Sequence, residues 1–383
     1  MWNVESGVRN AEFCIPHSTF YVSHFRSRSA MEPTSISELQ SIVRAHPQVL
    51  ARGGGTKSAL STAHNGAAAI ELTALAGLLE YEPSEFVFTA LAGTRVSDVR
   101  AKLAEHGQYL PFDPLLADSG ATLGGVIAAG ANGPGRYRYG GLRDFLLGVR
   151  FVNGAGEIVY AGGKVVKNSA GFDIPKLMVG SLGQLGILAE VSFKVFPKPQ
   201  AYVTVRLDCA TLSEALSVVQ RLYTSPLDID SFDLELATTG TIVWLRLAGL
   251  KSALPRRIDR VRGTIGGGEV IDDDESLWSG VRELKWLPRG WSLIKAPVTP
   301  KRIPALDQAL PATALRRYSG GGQAAWIALA DRAETLEPIL IAQGLAGLVL
   351  IGAADHVRLG VRAGESFERR VKQALDPQGR FGS

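Results

Sequence analysis

Two side-chain-poor segments hold the residues whose types and spacing can do chemistry. Residues 114–144 read PLLADSGATLGGVIAAGANGPGRYRYGGLRD, with Gly124, Gly125, Ala128, Ala129, Gly130, Ala131, Gly133 and Gly135 in one dozen positions. A second run, RGGGTKS at 52–58, lies upstream. A chain gives up side chains where its backbone must approach something flat or phosphorylated, because main-chain amides then serve as the anion donors. The bland alternative is a glycine-rich surface loop, but the longer run is apolar rather than Ser/Asn-rich. Two such cradles fit a long ligand held at two or more points. RGGGTKS fails as a P-loop, since Thr56 stands where glycine must precede the lysine. No strand opens into a convincing G-x-G-x-x-G with a later ribose-binding acid, which disfavours a nicotinamide-type nucleotide fold. What remains is a dinucleotide gripped by loop amides rather than by one helix N-terminus.

Bulk properties narrow the class. The 383 residues are 46% hydrophobic and 20% charged, enough for two domains with sizeable cores. Lys+Arg exceed Asp+Glu by 41 to 37, so the charge does not imply nucleic acid. Arg136-Tyr137-Arg138-Tyr139 is the one basic–aromatic cluster, and nothing extends it into a single-strand platform. Cys14 and Cys209 form no CxxC pair, which argues against a disulfide framework and an iron–sulfur cluster. The six histidines (His17, His24, His46, His64, His106, His356) show no HxH or HExxH spacing, so no metal site is expected. No secretory signal or membrane-length apolar run is read, and the expected location is the cytoplasm, with any contact with the inner membrane made through partners.

Elements that must position these segments follow from periodicity. Residues 1–30 read as a disordered extension, with Met31 an alternative start. The spacing predicts a helix over Ile36 to Ala45 and a strand at 49–51 that delivers RGGGTKS. Strands at 69–72 and 86–90, a helix from Val96 to His106 and a hairpin of 147–152 with 158–160 follow. A strand at 186–196 ends at Pro197-Lys198-Pro199, the expected boundary between a first domain, 31–199, and a second, 200–383. The second reads as two cycles of strand and helix, an α+β sandwich with helices on one face.

In four ordered blocks the chain resembles the FAD-binding module of the vanillyl-alcohol oxidase / p-cresol methylhydroxylase superfamily, and more narrowly the FAD-binding E subunits of bacterial glycolate oxidases. The blocks are ARGGGTKS (51–58), YEPSEFVFTALAGTRVSDVRAKLAEHGQYLPFDP (81–114), the glycine-rich run with GGLRD (140–144), and GGKVVKNSAGFDIPKLMVGSLGQLGILAEVSFKVFPKP (162–199). The resemblance implies an α+β, two-lobed FAD-binding domain followed by a cap. It implies that Gly53, Gly54, Gly55, Thr56, Lys57 and Ser58 serve the FAD pyrophosphate. Thr122, Gly124, Gly125, Ala128 and Ala129 would line the pyrophosphate and adenosine, and Gly133 and Pro134 the isoalloxazine edge. Gly141, Arg143 and Asp144 would close that wall, Arg143–Asp144 being otherwise a local ion pair. Gly186, Ile187 and Val191 would touch the adenine or ribityl end. Lys164 and Lys167 read as a solvated face. Many relatives bind flavin covalently through a histidine in the first loop; here Thr56-Lys57 stand there and His64 falls past it, so FAD is expected to be non-covalent. Leu182 replaces the acid of the catalytic subunits' Gly-Ser-Glu-Gly block. Their histidine-rich metal motif is absent, and so is their Asn-Pro-Gly-Arg tail.

The implied reaction is hydride transfer from a small 2-hydroxy acid, glycolate or D-lactate, to FAD, which requires a base and cations for the carboxylate. In the cap, His356 beside Asp355, with Arg358 and Arg362, is the candidate base and clamp; a polar strand edge is the alternative. The chain is then a dehydrogenase subunit, or a non-catalytic FAD-holding subunit for a catalytic flavoprotein partner alongside an iron–sulfur subunit. A cell-wall enolpyruvyl reductase type is a more distant alternative, disfavoured by the block at 162–173.

Overall fold

The computed structural model describes residues 30–61, 66–163, 173–237 and 239–382. Apart from Ala30, the expected extension therefore lies outside the described residues. The helix Ile36–Ala45 starts where Ser35 Oγ accepts the Glu38 amide at 3.2 Å. Leu39 and Val43, one turn apart, are its buried face, packed on the parallel pair Val49–Arg52 and Ala68–Glu71. A five-stranded antiparallel sheet follows, in the order Leu78–Glu82, Val87–Leu91, Ile187–Lys194, Leu146–Val152, Ile158–Gly162. Its core holds Phe88, Phe151 and Phe193 together with residues of the Val96–Ala104 helix.

The glycine-rich run was expected as turns, but part of it is the seven-residue helix Leu123–Ala129. Thr122 Oγ1 caps it and Gly130, at φ 59°, ends it. Leu123, Val126 and Ile127 are buried among the sheet's aromatics, and that burial outweighs the roughly 1 kcal/mol that each helical glycine costs.

The second lobe is a nine-stranded antiparallel sheet. Its order is Glu269–Ile271, Ala201–Cys209, Gly240–Gly249, Ser231–Ala237, Leu315–Ser319, Ala324–Leu329, Ser292–Pro297, Ala346–Ile351, Arg358–Gly360. Strand side chains alternate between faces. Ile294, Ile327 and Val349 accordingly join a core with residues of the Leu212–Tyr223, Leu254–Ile265 and Ile303–Ala309 helices. Leu293, Trp326, Ala328 and Leu350 turn the other way and complete the core of the first lobe. One face of the cap sheet is thus the roof over the glycine-rich segments.

The tail does not stay with the cap. Val371 and Leu375 of the Glu365–Leu375 helix pack on the first lobe's core, and Phe381 pairs with Val49. Arg380 Nη1 donates to the carbonyls of Val43 at 2.6 Å and Arg44 at 3.1 Å, closing the end of the first helix. No helix among the described residues is long and apolar enough to cross a membrane.

Candidate functional site

The strand Val49–Arg52 delivers the loop 53–57 against the second glycine-rich segment. A Cβ on Gly53 would sit 2.1 Å from Thr122 Oγ1, and one on Gly54 would sit 1.8 Å from the Gly120 carbonyl. Both glycines are therefore required by contact between the two segments. Gly55 differs: its φ is +65° and nothing lies within 4 Å of the Cβ position, so it turns the chain at the open rim.

Amide supply follows the same division. At the start of the Leu123–Ala129 helix, the Leu123 amide donates to Thr94 O, Gly124 to Ala92 O, Gly125 to Thr122 Oγ1 and Val126 to Thr122 O. That helix end has no amide left for a phosphate. Among the described residues, none accepts a hydrogen bond from the amides of Gly54, Gly55, Thr56 or Lys57. Thr122, Gly124, Gly125, Ala128 and Ala129 form one wall of the cleft above this loop, and Ser181 to Gly183 with Gly186 and Ile187 form another.

Lys57 lies in the same cleft, 6% exposed, with its Nζ 3.5 Å from Thr56 Oγ1. No carboxylate among the described residues pairs with it. Burial pushes its ammonium down to about 8, with Glu283 acting in the opposite direction. A buried cation without a counter-ion, beside four undonated amides, fits the diphosphate of FAD.

Ala129 also lines a second cavity, of about 340 Å³, between the lobes. Arg136, Arg143, Asp144, Asn132 and Gly141 face it from the first lobe, and Lys295, Pro297 and Leu348 from the cap. The alternative of a local Arg143–Asp144 ion pair is not formed; the Asp144 carboxylate accepts the Gly141 amide at 2.8 Å. Asn132 Oδ1 accepts the Leu142 amide at 2.7 Å and so fixes the turn that presents Arg143. Lys295 Nζ donates to Gly130 O at 3.2 Å and lies 5.8 Å from the Trp326 ring centroid.

Gly133 and Pro134 line neither cleft. With Asn132, Trp286, Trp326, Asp233 and Arg317 they surround a third cavity of about 20 Å³, room for a single water. Arg317 Nη1 donates to Glu235 at 2.6 Å, while its Nη2 is 3.8 Å from Asp233 Oδ2. Asp233 is 1% exposed, and burial pushes its carboxyl up to about 6.

Other expected residues are dispersed. Ser58 Oγ accepts the Gly352 amide at 3.1 Å and ties the loop to the cap. Val191 is fully buried within Ile187–Lys194, in the core of the first lobe. His356 is half exposed with its Nε2 3.7 Å from Glu337, and among the described residues Arg362 reaches only the Arg358 carbonyl, at 3.4 Å. Arg358 pairs with Glu368 and donates to Gln184 at 3.1 Å, bridging the lobes. The structure therefore does not gather His356, Arg358 and Arg362 around any of these cavities. His64, Lys164 and Lys167 lie outside the described residues. Apart from Arg136, the basic–aromatic cluster is used internally: Tyr139 donates to Asp230 at 2.8 Å, Arg138 pairs with Asp228, and Tyr137 packs edge-on against Phe232.

Sequence reasoning missed Lys295, Arg136, Asp233 and Arg317 as site residues. A lysine within the apolar strand SLIKAP was the available signal. Its alternation with Ile294 and Ala296 places it on the face opposite the helices.

Residues 28–162 match the FAD binding domain family. Glycolate oxidase subunit GlcE of Escherichia coli (strain K12) is 34% identical over 309 residues, 80% of this chain and 83% of that protein. D-lactate dehydrogenase of Anaerostipes hadrus is 29% identical over 203 residues, 52% of this chain but only 42% of that protein. Among solved structures, alkyldihydroxyacetonephosphate synthase superposes with a TM-score of 0.68 at 17% identity, covering 91% of this chain and 75% of that one, which establishes the shared fold. These likenesses lead to one statement of kinship: the chain belongs to the family of FAD-binding oxidoreductases that includes the glycolate oxidase subunit GlcE.

Proposed function

We propose that the chain is the FAD-binding subunit of a glycolate oxidase-like complex, oxidising a small 2-hydroxy acid such as glycolate or D-lactate with non-covalently held FAD. The carrying observation is the adjacent pair of clefts: Lys57 and undonated amides line one, Arg136 and Arg143 the other, with Ala129 as a shared wall. In this reading the amides of 54–57 and the Lys57 ammonium hold the diphosphate. Arg136 and Arg143, permanently charged, meet the substrate carboxylate. Lys295, Pro297 and Leu348 of the cap face these arginines across the cavity. Bound flavin supplies the acceptor for the hydride leaving C2 of the acid. A catalytic flavoprotein subunit and an iron–sulfur subunit are the proposed partners.

A second reading, a FAD-holding subunit serving a catalytic partner, is favoured by one observation: among the described residues, no histidine lines the three cavities. Purification of the chain with FAD and anaerobic titration with glycolate and D-lactate separates the two. Bleaching of the flavin band supports oxidation by this subunit. A yellow protein that stays oxidised until its partner is added supports the second reading. A chain that takes up no FAD refutes both.

A further inference from the structure

Of the described cap residues that line the wide interdomain cavity, Lys295 alone is charged. Its position follows from the strand register. Lys295 sits opposite Trp326 on one side and Leu348 on the other, within a cross-strand row that continues to Arg317 beyond Trp326 and Arg358 beyond Leu348. Antiparallel partners share a face, so the row looks toward the first lobe. Lys295 makes one hydrogen bond, to the Gly130 carbonyl, and among the described residues no carboxylate pairs with it. The groups opposite are Arg136, Arg143 and Asp144, and the Asp144 carboxylate is engaged by the Gly141 amide.

We propose that Lys295 is the catalytic base of this site, its neutral amine taking the hydroxyl proton of a 2-hydroxy acid whose carboxylate rests on Arg136 and Arg143. The assignment rests on the 2-hydroxy-acid reading given above. The substrate O–H bond breaks toward the Lys295 nitrogen, which becomes an ammonium. The C2–H bond breaks with its electron pair, which leaves as hydride to the flavin, and the C2–O bond closes to a carbonyl. Atoms and charge balance with no further reactant.

A lysine serves as a base only where its surroundings disfavour the ammonium. Burial, and secondarily Arg136, push Lys295 down to about 8. At pH 7.5 about a quarter of such an amine is neutral, against about one part in a thousand for an ordinary lysine. Bound carboxylate opposes this trend, and two arginines to neutralise it keep the balance toward the free amine.

The test has a chemical arm and a kinetic arm, both on the full FAD-loaded chain. Glyoxylate with cyanoborohydride converts a neutral amine to an imine, with loss of water, and then to a stable secondary amine. Peptide mass spectrometry across pH 6 to 9 should find Lys295 carboxymethylated at least about tenfold faster than the exposed Lys251 and Lys301 at pH 7.5. Anaerobic reduction by glycolate or D-lactate should rise with pH through about 8 in the unaltered chain. It should fall about 100-fold or more in both Lys295→Gln and Lys295→Arg, because arginine keeps the charge but cannot accept the proton. Labelling of Lys295 no faster than at surface lysines overturns the assignment, as does a Lys295→Arg variant that reduces normally. Fast labelling in a chain that no 2-hydroxy acid reduces overturns the functional reading instead, which distinguishes the two failures.

Discussion

Replacing Lys57 by methionine should move stability and cofactor affinity in opposite directions. In the flavin-free chain the Lys57 ammonium is buried with no carboxylate among the described residues paired to it, and its pKa falls from 10.5 to about 8. A fall of that size corresponds to about 3 kcal/mol by which folding disfavours the charged form. The sign is that of a depressed lysine: the folded state binds fewer protons than the unfolded one. The penalty is complete below pH 8 and is relieved as pH rises from about 8 toward 10.5. Lys57→Met, nearly isosteric and apolar, removes it. The flavin-free variant should be more stable at pH 7 by about 1–3 kcal/mol, read from urea unfolding. FAD affinity should weaken by about 10–100-fold, since a charge-assisted contact to diphosphate is lost. Binding FAD must also raise the Lys57 pKa, so binding takes up a proton above pH 8. Wild-type Kd should therefore climb above pH 8, while that of the variant stays flat. Flavin fluorescence titration at pH 7 and pH 9 measures this. A variant that binds FAD as tightly as wild type at pH 7, or one that unfolds more easily without flavin, refutes the placement of the diphosphate over Lys57.

The two loop glycines should respond differently to alanine. Gly54→Ala drives a methyl into the Gly120 carbonyl and should cost several kcal/mol with loss of FAD, whereas Gly55→Ala meets no atom and should cost about 1–2 kcal/mol for its φ of +65°. Thermal unfolding with and without FAD ranks them, and the reverse order would be fatal to the packing described. Asp233 has a raised pKa, so its ionised form destabilises the fold above pH 6 and the cost vanishes below about pH 4. Asp233→Asn should therefore raise the melting temperature at pH 7.5 and lose that advantage at pH 4; equal shifts at both would exclude this cause. His356→Ala and Arg362→Ala should leave FAD binding and flavin reduction within about twofold of wild type, because neither side chain reaches a cavity. Stopped-flow reduction decides that.

Local pattern was enough for much of this molecule. The helix Ile36–Ala45 runs over the residues its periodicity predicts, because a cap and an apolar stripe are encoded within one or two turns. The hairpin at 146–162 was legible for the same reason. Strands Ser231–Ala237 and Leu315–Ser319 escaped notice. The first alternates apolar Phe232, Leu234 and Leu236 with polar Ser231, Asp233 and Glu235, and the second carries two adjacent arginines; these charges are matched only in the folded chain, where Arg317 reaches Glu235 at 2.6 Å and Arg316 pairs with Asp307. That backbone comes close at the two glycine-rich segments could be read from residue types alone, since few purposes other than close approach select so many glycines.

What those glycines approach was a matter of tertiary structure. Gly53 and Gly54 are spaced for Thr122 and Gly120, more than 65 residues away in the chain, so only the loop beyond them is left to face a ligand. The base and clamp were sought at His356, Arg358 and Arg362 because those residues are neighbours in sequence. Lys295 lies more than 150 residues beyond Arg136 and Arg143 and meets them only when the cap sheet settles on the first lobe. Residue type and spacing are properties of a segment, whereas desolvation and the lack of a counter-ion depend on what long-range packing brings near. The sequence by itself therefore determined the family, the longer amphipathic helices and the glycine-rich segments, and the packing of the two lobes decided which cations among the described residues are buried without a carboxylate partner.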